Sequence, residues 1–291
     1  MTSALATETD GIVAGIWHGP GSVRIRPDVA HRTPGCPCCA TRLDVIDGLL
    51  RAVRRSVRPD RILLTVDTDD DLATVAFTVL SDNDLARHVY LDGIVVAIDA
   101  VAASTRVATG APVAAPGAMA DLAMADVILL DRSSDLTRAG AVQLRHHLHR
   151  AHPLCTVLTD LTAIRSSRAV VELNAWRGPP AIDPGLRAGR MPSGDPETLV
   201  LRQAAPLHPH AVEAWISAVL NECGPRLLRL QGVIAIESRP TRLHCHGVRS
   251  FATFSQETAP SKASAESVVV LVGSDLDVGA LAAGFAATRV Q

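Results

Sequence analysis

Apolar positions along this chain switch between short continuous runs and stretches spaced by three and four. Leu43, Ile46, Leu49, Leu50 and Val53 recur at helical spacing and predict a helix with one apolar face. "RILLTV" (61–66) is a brief apolar run closed by an acidic loop, which suits a buried parallel strand. "ATVAFTVL" (73–80) reads as a helix, and "DGIVVAIDA" (92–100) and "ADVILLD" (125–131) as two more buried strands. An arginine- and histidine-rich helix is expected over 136–151, a fourth strand at "LCTVLT" (154–159) and a helix near 161–176. "SVRIR" (22–26) is a short strand candidate ahead of them all. Strands and helices alternating in this way predict a doubly wound α/β sheet.

The texture changes at "RGPPAIDPGLRAGRMPSGDP" (177–196), where proline and glycine crowd out large apolar residues. Beyond this linker come "TLVLRQ", a helix near 209–222, "LLRLQGVIAIES", "TRLHCHGV", a polar stretch at 255–266, "SVVVLVGS" and a closing helix at 277–287. That order, β-α-β-β-β-α, fits helices packed on one face of an antiparallel sheet. The expected fold class is therefore α/β, with a mainly parallel sheet in residues 1–176 and a small α+β domain in 197–291.

Composition narrows the function. Of 291 residues, 47% are hydrophobic and 20% charged, so the chain can bury a substantial core. A net charge of −2 gives no general attraction to nucleic acid or to a membrane surface. The first residues lack a basic start and an apolar core, and no run has the length of a spanning helix. The expectation is a cytoplasmic protein, in which six cysteines need not form disulfides.

Three of those cysteines fall within four positions, in "GCPCC" at 35–39. Thiolates favour soft or borderline ions such as Zn²⁺, and three of them leave a coordination position for water or a partner. Cys36 and Cys39 also form a C-x-x-C pair leading into a helix, an arrangement that activates thiols in redox proteins. Inert packing is the third reading. The residues alone leave the three open.

"GCPCC" before an amphipathic helix, followed by "PDRILLTVDTDDDLATVAFTVLSDNDLARHVYLDGIVVAIDAV", resembles the middle of CobW-type metal-chaperone GTPases. "ADVILLDRSSDL" falls where that family has its base-recognition loop, and "LVLRQAAPLHPHAVEAWISAVL", "LLRLQGVIAI", "LHCHGV" and "VVVLVGSDLDVGAL" resemble its C-terminal domain. The resemblance runs in order over roughly residues 21 to 287. It implies an incomplete P-loop-GTPase-like sheet followed by the family's C-terminal domain. It also implies a metal site at Cys36, Cys38 and Cys39, with zinc or another thiophilic divalent ion as cofactor.

The nucleotide machinery that the family implies is eroded. No GxxxxGK[ST] occurs, and the single lysine, Lys262, lies in the late polar stretch. The base-recognition loop reads Asp131-Arg132-Ser133-Ser134-Asp135, and a guanidinium does not replace a compact ammonium conservatively. Thr65 and Thr68 stand where the family carries a glutamate and a glycine in its switch loop. GTP hydrolysis is therefore not expected. A start further upstream could supply a P-loop strand, but it could not repair Thr68 or the 131–135 loop.

Other clusters are weaker. "DTDDD" (67–71) lacks the glycine and glutamate of a calcium loop, since Leu72 and Thr78 stand there. His146 and His149 lie one helical turn apart without an evident third ligand, and an exposed helix face is the expectation. His244 and His246 share one face of a strand while Cys245 points to the other. Cys155 and Cys223 read as packing residues.

Three functions follow from the resemblance. The first is a metal-binding protein without GTP turnover, whose partner is a client metalloprotein or a zinc-homeostasis component. The second is a zinc-responsive adaptor that recruits a hibernation factor to the ribosome, as in relatives with eroded nucleotide motifs. The third is a GTPase with a misassigned start. None of them calls for direct nucleic-acid or membrane contact.

Overall fold

The computed structural model describes residues 12–13, 22–25, 37–56, 61–66, 71–159, 175–176, 196–256 and 266–290. The chain divides into two compact units, one of residues 1–75 with 93–173 and the other of 76–92 with 174–291. The linker at 177–196 and most of the helix expected near 161–176 lie outside the described residues.

The first unit holds β1 (Ile12–Val13), β2 (Ser22–Ile25), α1 (Pro37–Val53), β3 (Arg61–Val66), β4 (Val95–Asp99), α3 (Ala100–Ala108), α4 (Pro116–Met124), β5 (Val127–Asp131), α5 (Arg138–Ala151) and β6 (Thr156–Leu158). The helix α2 (Leu72–Ser81) starts in this unit and ends in the other. The strands form two three-stranded sheets rather than one, in the orders β1-β3-β2 and β4-β5-β6. β2 and β3 run parallel, as do β4, β5 and β6, whereas β1 pairs antiparallel with β3. β1 is two residues long, too short to leave an alternating pattern that sequence could reveal.

The second sheet is fully legible. Val95, Val127 and Leu129 form its core with Ala97 and Leu158 against them. β4 and β5 are buried along almost their whole length, which is why their sequences run apolar rather than alternate. The Asp126 carboxylate accepts from the Ile94 amide at 2.8 Å, and the Cys155 thiol donates to the Ala125 carbonyl at 2.9 Å. Both tie down the amino ends of the strands. Between β4 and β5 the chain forms two helices that the sequence reading passed over. Seven of their eighteen residues are alanine, with few large side chains to mark a face.

The second unit holds β7 (Glu197–Gln203), α6 (Pro209–Cys223), β8 (Leu227–Ile234), β9 (Leu243–Val248), β10 (Phe251–Gln256), β11 (Ser267–Gly273) and α7 (Val278–Ala287). Its five strands are ordered β10-β9-β8-β11-β7, with every neighbour antiparallel. β7 and β8 flank β11 and so run the same way, joined by α6 in a split βαβ arrangement. β10 is absent from the expected order because its turn, Arg249-Ser250, carries no glycine, asparagine or proline. Arg249 instead takes φ 54, and its amide donates to the Leu227 carbonyl at 2.9 Å.

One face of this sheet makes the core. α6 buries Val212, Trp215, Ile216, Val219, Leu220 and Cys223, a stripe at three- and four-residue spacing. They pack with Leu230, Ile234, Cys245, Ala252, Val269 and Leu271 from alternate strand positions. Trp215 meets Phe285 of α7 with ring centroids 5.0 Å apart. Gly224 ends α6 at φ 47, a conformation open to glycine and costly for a residue with a Cβ.

Candidate functional site

Of the clustered cysteines, Cys36 lies just outside the described residues. Cys38 and Cys39 are the second and third residues of α1, with Pro37 first. Proline suits that place because its missing N–H is one the helix leaves unused there. Both cysteines thus lie in the first turn of the helix. Consecutive positions there lie about 100° apart around the axis, not on opposite faces as in a strand. The first turn also presents unpaired backbone N–H groups and the positive end of the helix dipole, which favour thiolate over thiol.

A second cluster sits at the carboxyl ends of the parallel strands, where open α/β sheets bind their ligands. Asp99 and Asp131 end β4 and β5 in register with one another. Asp99 caps α3, its Oδ1 accepting from the Val101 and Ala102 amides at 2.8 and 3.0 Å. Its other oxygen accepts from Nη2 of Arg132. Arg132 has φ 53 and ψ 28, a left-handed backbone that is unusual for a long side chain. Its amide donates to Oδ1 of Asp131 at 2.9 Å, and the Ser133 hydroxyl donates to the Thr159 carbonyl beyond β6. Burial pushes the Asp99 carboxyl up, but the hydrogen bonds from Arg132 and the two amides outweigh it and hold the group below the usual carboxylate range.

Arg132 is therefore committed to an aspartate of its own chain. Sequence reasoning flagged Arg132 as a departure but missed its partner, because the two are brought together only by pairing β4 with β5. Thr65 is buried within β3. Thr68 lies outside the described residues, as do 67–70 of the acidic loop. Asp71 is at the start of α2, where its carboxylate accepts from the Thr74 amide at 3.1 Å and hydroxyl at 2.7 Å.

The histidine clusters behave as expected of surface and core groups. His146 and His149 are exposed on α5. His246 is buried, and its Nδ1 lies 3.0 Å from Nη2 of Arg229, a group that can only donate. The Arg229 guanidinium lies 4.2 Å from the ring centre of Trp176, which is 5.5 Å from His246. A guanidinium this close disfavours a metal cation at His246. Cys155, Cys223 and Cys245 are buried and in no disulfide among the described residues, and burial pushes the Cys245 thiol far up, away from the thiolate a metal needs. Among the described residues no three of His, Cys, Asp or Glu gather to hold a metal.

Two buried groups escaped the sequence reading. Asp121 on α4 is 5% exposed, and its Oδ2 has no hydrogen-bond partner among the described residues. Burial, with the Asp71 charge nearby, pushes its carboxyl up to about 8. His152 follows α5 and is 4% exposed. Burial, with His147 nearby, lowers it to about 4.

Two family models match the chain. Residues 24–159 match the CobW/HypB/UreG nucleotide-binding domain, and residues 197–289 match the cobalamin synthesis protein cobW C-terminal domain. The chain belongs to the CobW family. A relative, the zinc chaperone YjiA of Escherichia coli, is 23% identical over 268 residues, covering 88% of this chain and 81% of its own. The CobW fold is also seen in solved structures. The Zn(II)-bound YjiA GTPase from E. coli superposes with a TM-score of 0.60 at 21% identity, covering 89% of this chain and 79% of its own. A Zn(II)-bound triple mutant of YjiA, with one glutamate and two cysteines replaced by alanine, gives the same values. No helix of the described residues is long and apolar enough to cross a membrane.

Proposed function

We propose that this CobW-family protein is a metal-handling protein that carries a thiophilic divalent ion, zinc first, on Cys36, Cys38 and Cys39. The observation that carries this reading is the placement of Cys38 and Cys39 in the first turn of α1, with Cys36 two residues ahead. That turn supplies the electropositive setting in which thiolates persist, and three soft donors fit Zn²⁺ better than a hard cation. The kinship with a zinc chaperone supports the choice of ion.

Here the ion is cargo. Three protein ligands leave one position of a tetrahedral ion open, so a recipient's ligand can enter before a cysteine leaves. Transfer then proceeds by ligand exchange, without a free ion. The recipient is a client metalloprotein or a component of zinc homeostasis.

Nucleotide turnover is not part of this reading. Arg132 replaces the compact lysine of the base-recognition loop and is held by Asp99. Thr65 and Thr68 replace switch-loop residues inside the chain. These departures do not depend on where the chain starts.

Anaerobic Co²⁺ titration followed by absorbance tests the site, beside a variant carrying Cys36→Ser, Cys38→Ser and Cys39→Ser. Thiolate-to-cobalt charge-transfer bands are expected in the native protein, to be lost in the variant and on adding Zn²⁺. A native protein without such bands, or a variant that keeps them, overturns the proposal.

A further inference from the structure

The helix α5 carries more charge than the fold requires. Its fourteen residues include Arg138, Arg145, Arg150 and three histidines, and no acidic residue. Leu144 and Leu148 are its buried side chains, so the fold uses a narrow face of it. On the solvent side, Arg138, Val142, Arg145 and His149 follow one another at spacings of four, three and four, with His146 beside them. Such spacing keeps all five on one stripe, and the eleven residue steps from Arg138 to His149 carry it over about 16 Å. Val142 is 63% exposed in the middle of it.

Helix stability does not account for the stripe. Cations suit the last turn of a helix, which covers His149 and Arg150, but Arg138 is the first residue, where the dipole disfavours positive charge. With no carboxylate in the helix, no i,i+4 pair offsets the repulsion. None of the ion pairs among the described residues involves Arg138, Arg145 or Arg150.

We infer that this stripe is a docking surface for an acidic helix of a partner protein, with carboxylates facing Arg138, Arg145 and His149 and an apolar side chain facing Val142. Charge complementarity selects the occupant. A metal ion is disfavoured at His146 and His149 by the flanking guanidiniums. Nucleic acid is disfavoured because the stripe has no aromatic side chain for a base to stack on, in a protein of net charge −2. The inference goes beyond metal carriage and does not depend on it, since the stripe and the cysteines share no residue.

Fluorescence anisotropy on the full chain tests it. The probe is a labelled helical peptide with glutamates and one leucine at matching spacing, beside a scrambled peptide of equal composition and an RNA duplex of similar charge. The native protein is expected to bind the matched peptide more tightly than either control, with affinity falling as salt rises. An Arg138→Gln/Arg145→Gln variant, altered only at exposed positions, should bind it about fivefold to tenfold more weakly. Equal binding of matched and scrambled peptides, tighter binding of the RNA, or an unchanged affinity in the variant overturns the inference. Near-UV circular dichroism checks that the variant remains folded.

Discussion

Arg132, one residue past the end of β5, donates from Nη2 to Oδ2 of Asp99 at the end of β4. Thirty-three positions separate them in sequence, and strand pairing alone makes them neighbours. The pair joins the carboxyl ends of two neighbouring parallel strands. Asp99 is buried and serves three donors at once, whereas half of the Arg132 side chain faces solvent.

Replacing Asp99 should therefore cost more than replacing Arg132. Asp99→Ala loses the α3 cap as well as the ion pair, and the cap by itself is worth about 1–2 kcal/mol. Arg132→Gln leaves the cap intact but lets the Asp99 carboxyl rise toward its ordinary range. Because that carboxyl is held low in the folded protein, its stabilisation is present above about 4 and lost as pH falls through the folded value. Thermal denaturation at pH 3 to 7 should show a shallower acid-side loss in Arg132→Gln than in the native protein.

Asp121 makes the opposite prediction. Its folded value of about 8 stands above the ordinary 3.8, so the folded protein holds a proton that the unfolded chain releases. Its contribution is complete below pH 3.8 and is lost as pH rises to about 8, at up to about 1.4 kcal/mol per pH unit. Asp121→Asn should remove that decline. Denaturant melts at pH 6 and pH 8 should differ less in the variant than in the native protein.

His152 acts on the acid side. It is lowered from 6.5 to about 4, so its contribution is present above pH 6.5 and lost as pH falls toward 4. Between those values the Asp121 and His152 slopes oppose each other. His152→Phe should expose the Asp121 decline over pH 4 to 6.5, where the native protein is flatter. The same denaturant melts, extended to pH 4, read this out.

Gly284 predicts a packing effect. A Cβ there would stand 2.7 Å from Cδ1 of Trp215, so Gly284→Ala forces α6 and α7 apart despite alanine's higher helix propensity. A net loss of about 1–2 kcal/mol is expected, with a change in tryptophan near-UV dichroism.

The helix face of α6, the apolar runs of β4 and β5, and the start of a helix at the cysteines were all legible in sequence. Each rests on local periodicity or on a residue with strong backbone preferences, such as Pro37. The short β1, the alanine-rich α3 and α4, and the β10 hairpin turning at Arg249 were not legible. They carry little apolar patterning of their own, or turn without the usual turn residues.

The candidate chemistry divides in the same way. The sequence by itself pointed to Cys36, Cys38 and Cys39 as candidate thiolate ligands and to Thr65, Thr68 and Arg132 as departures from the family resemblance, because residue identity sets softness, charge and shape. Only the tertiary structure decided that Arg132 is bound to Asp99, that Arg229 and Trp176 enclose His246, and that Asp121 and His152 are desolvated. Contacts between distant segments and exclusion of water are properties of the folded chain, and no local pattern encodes them.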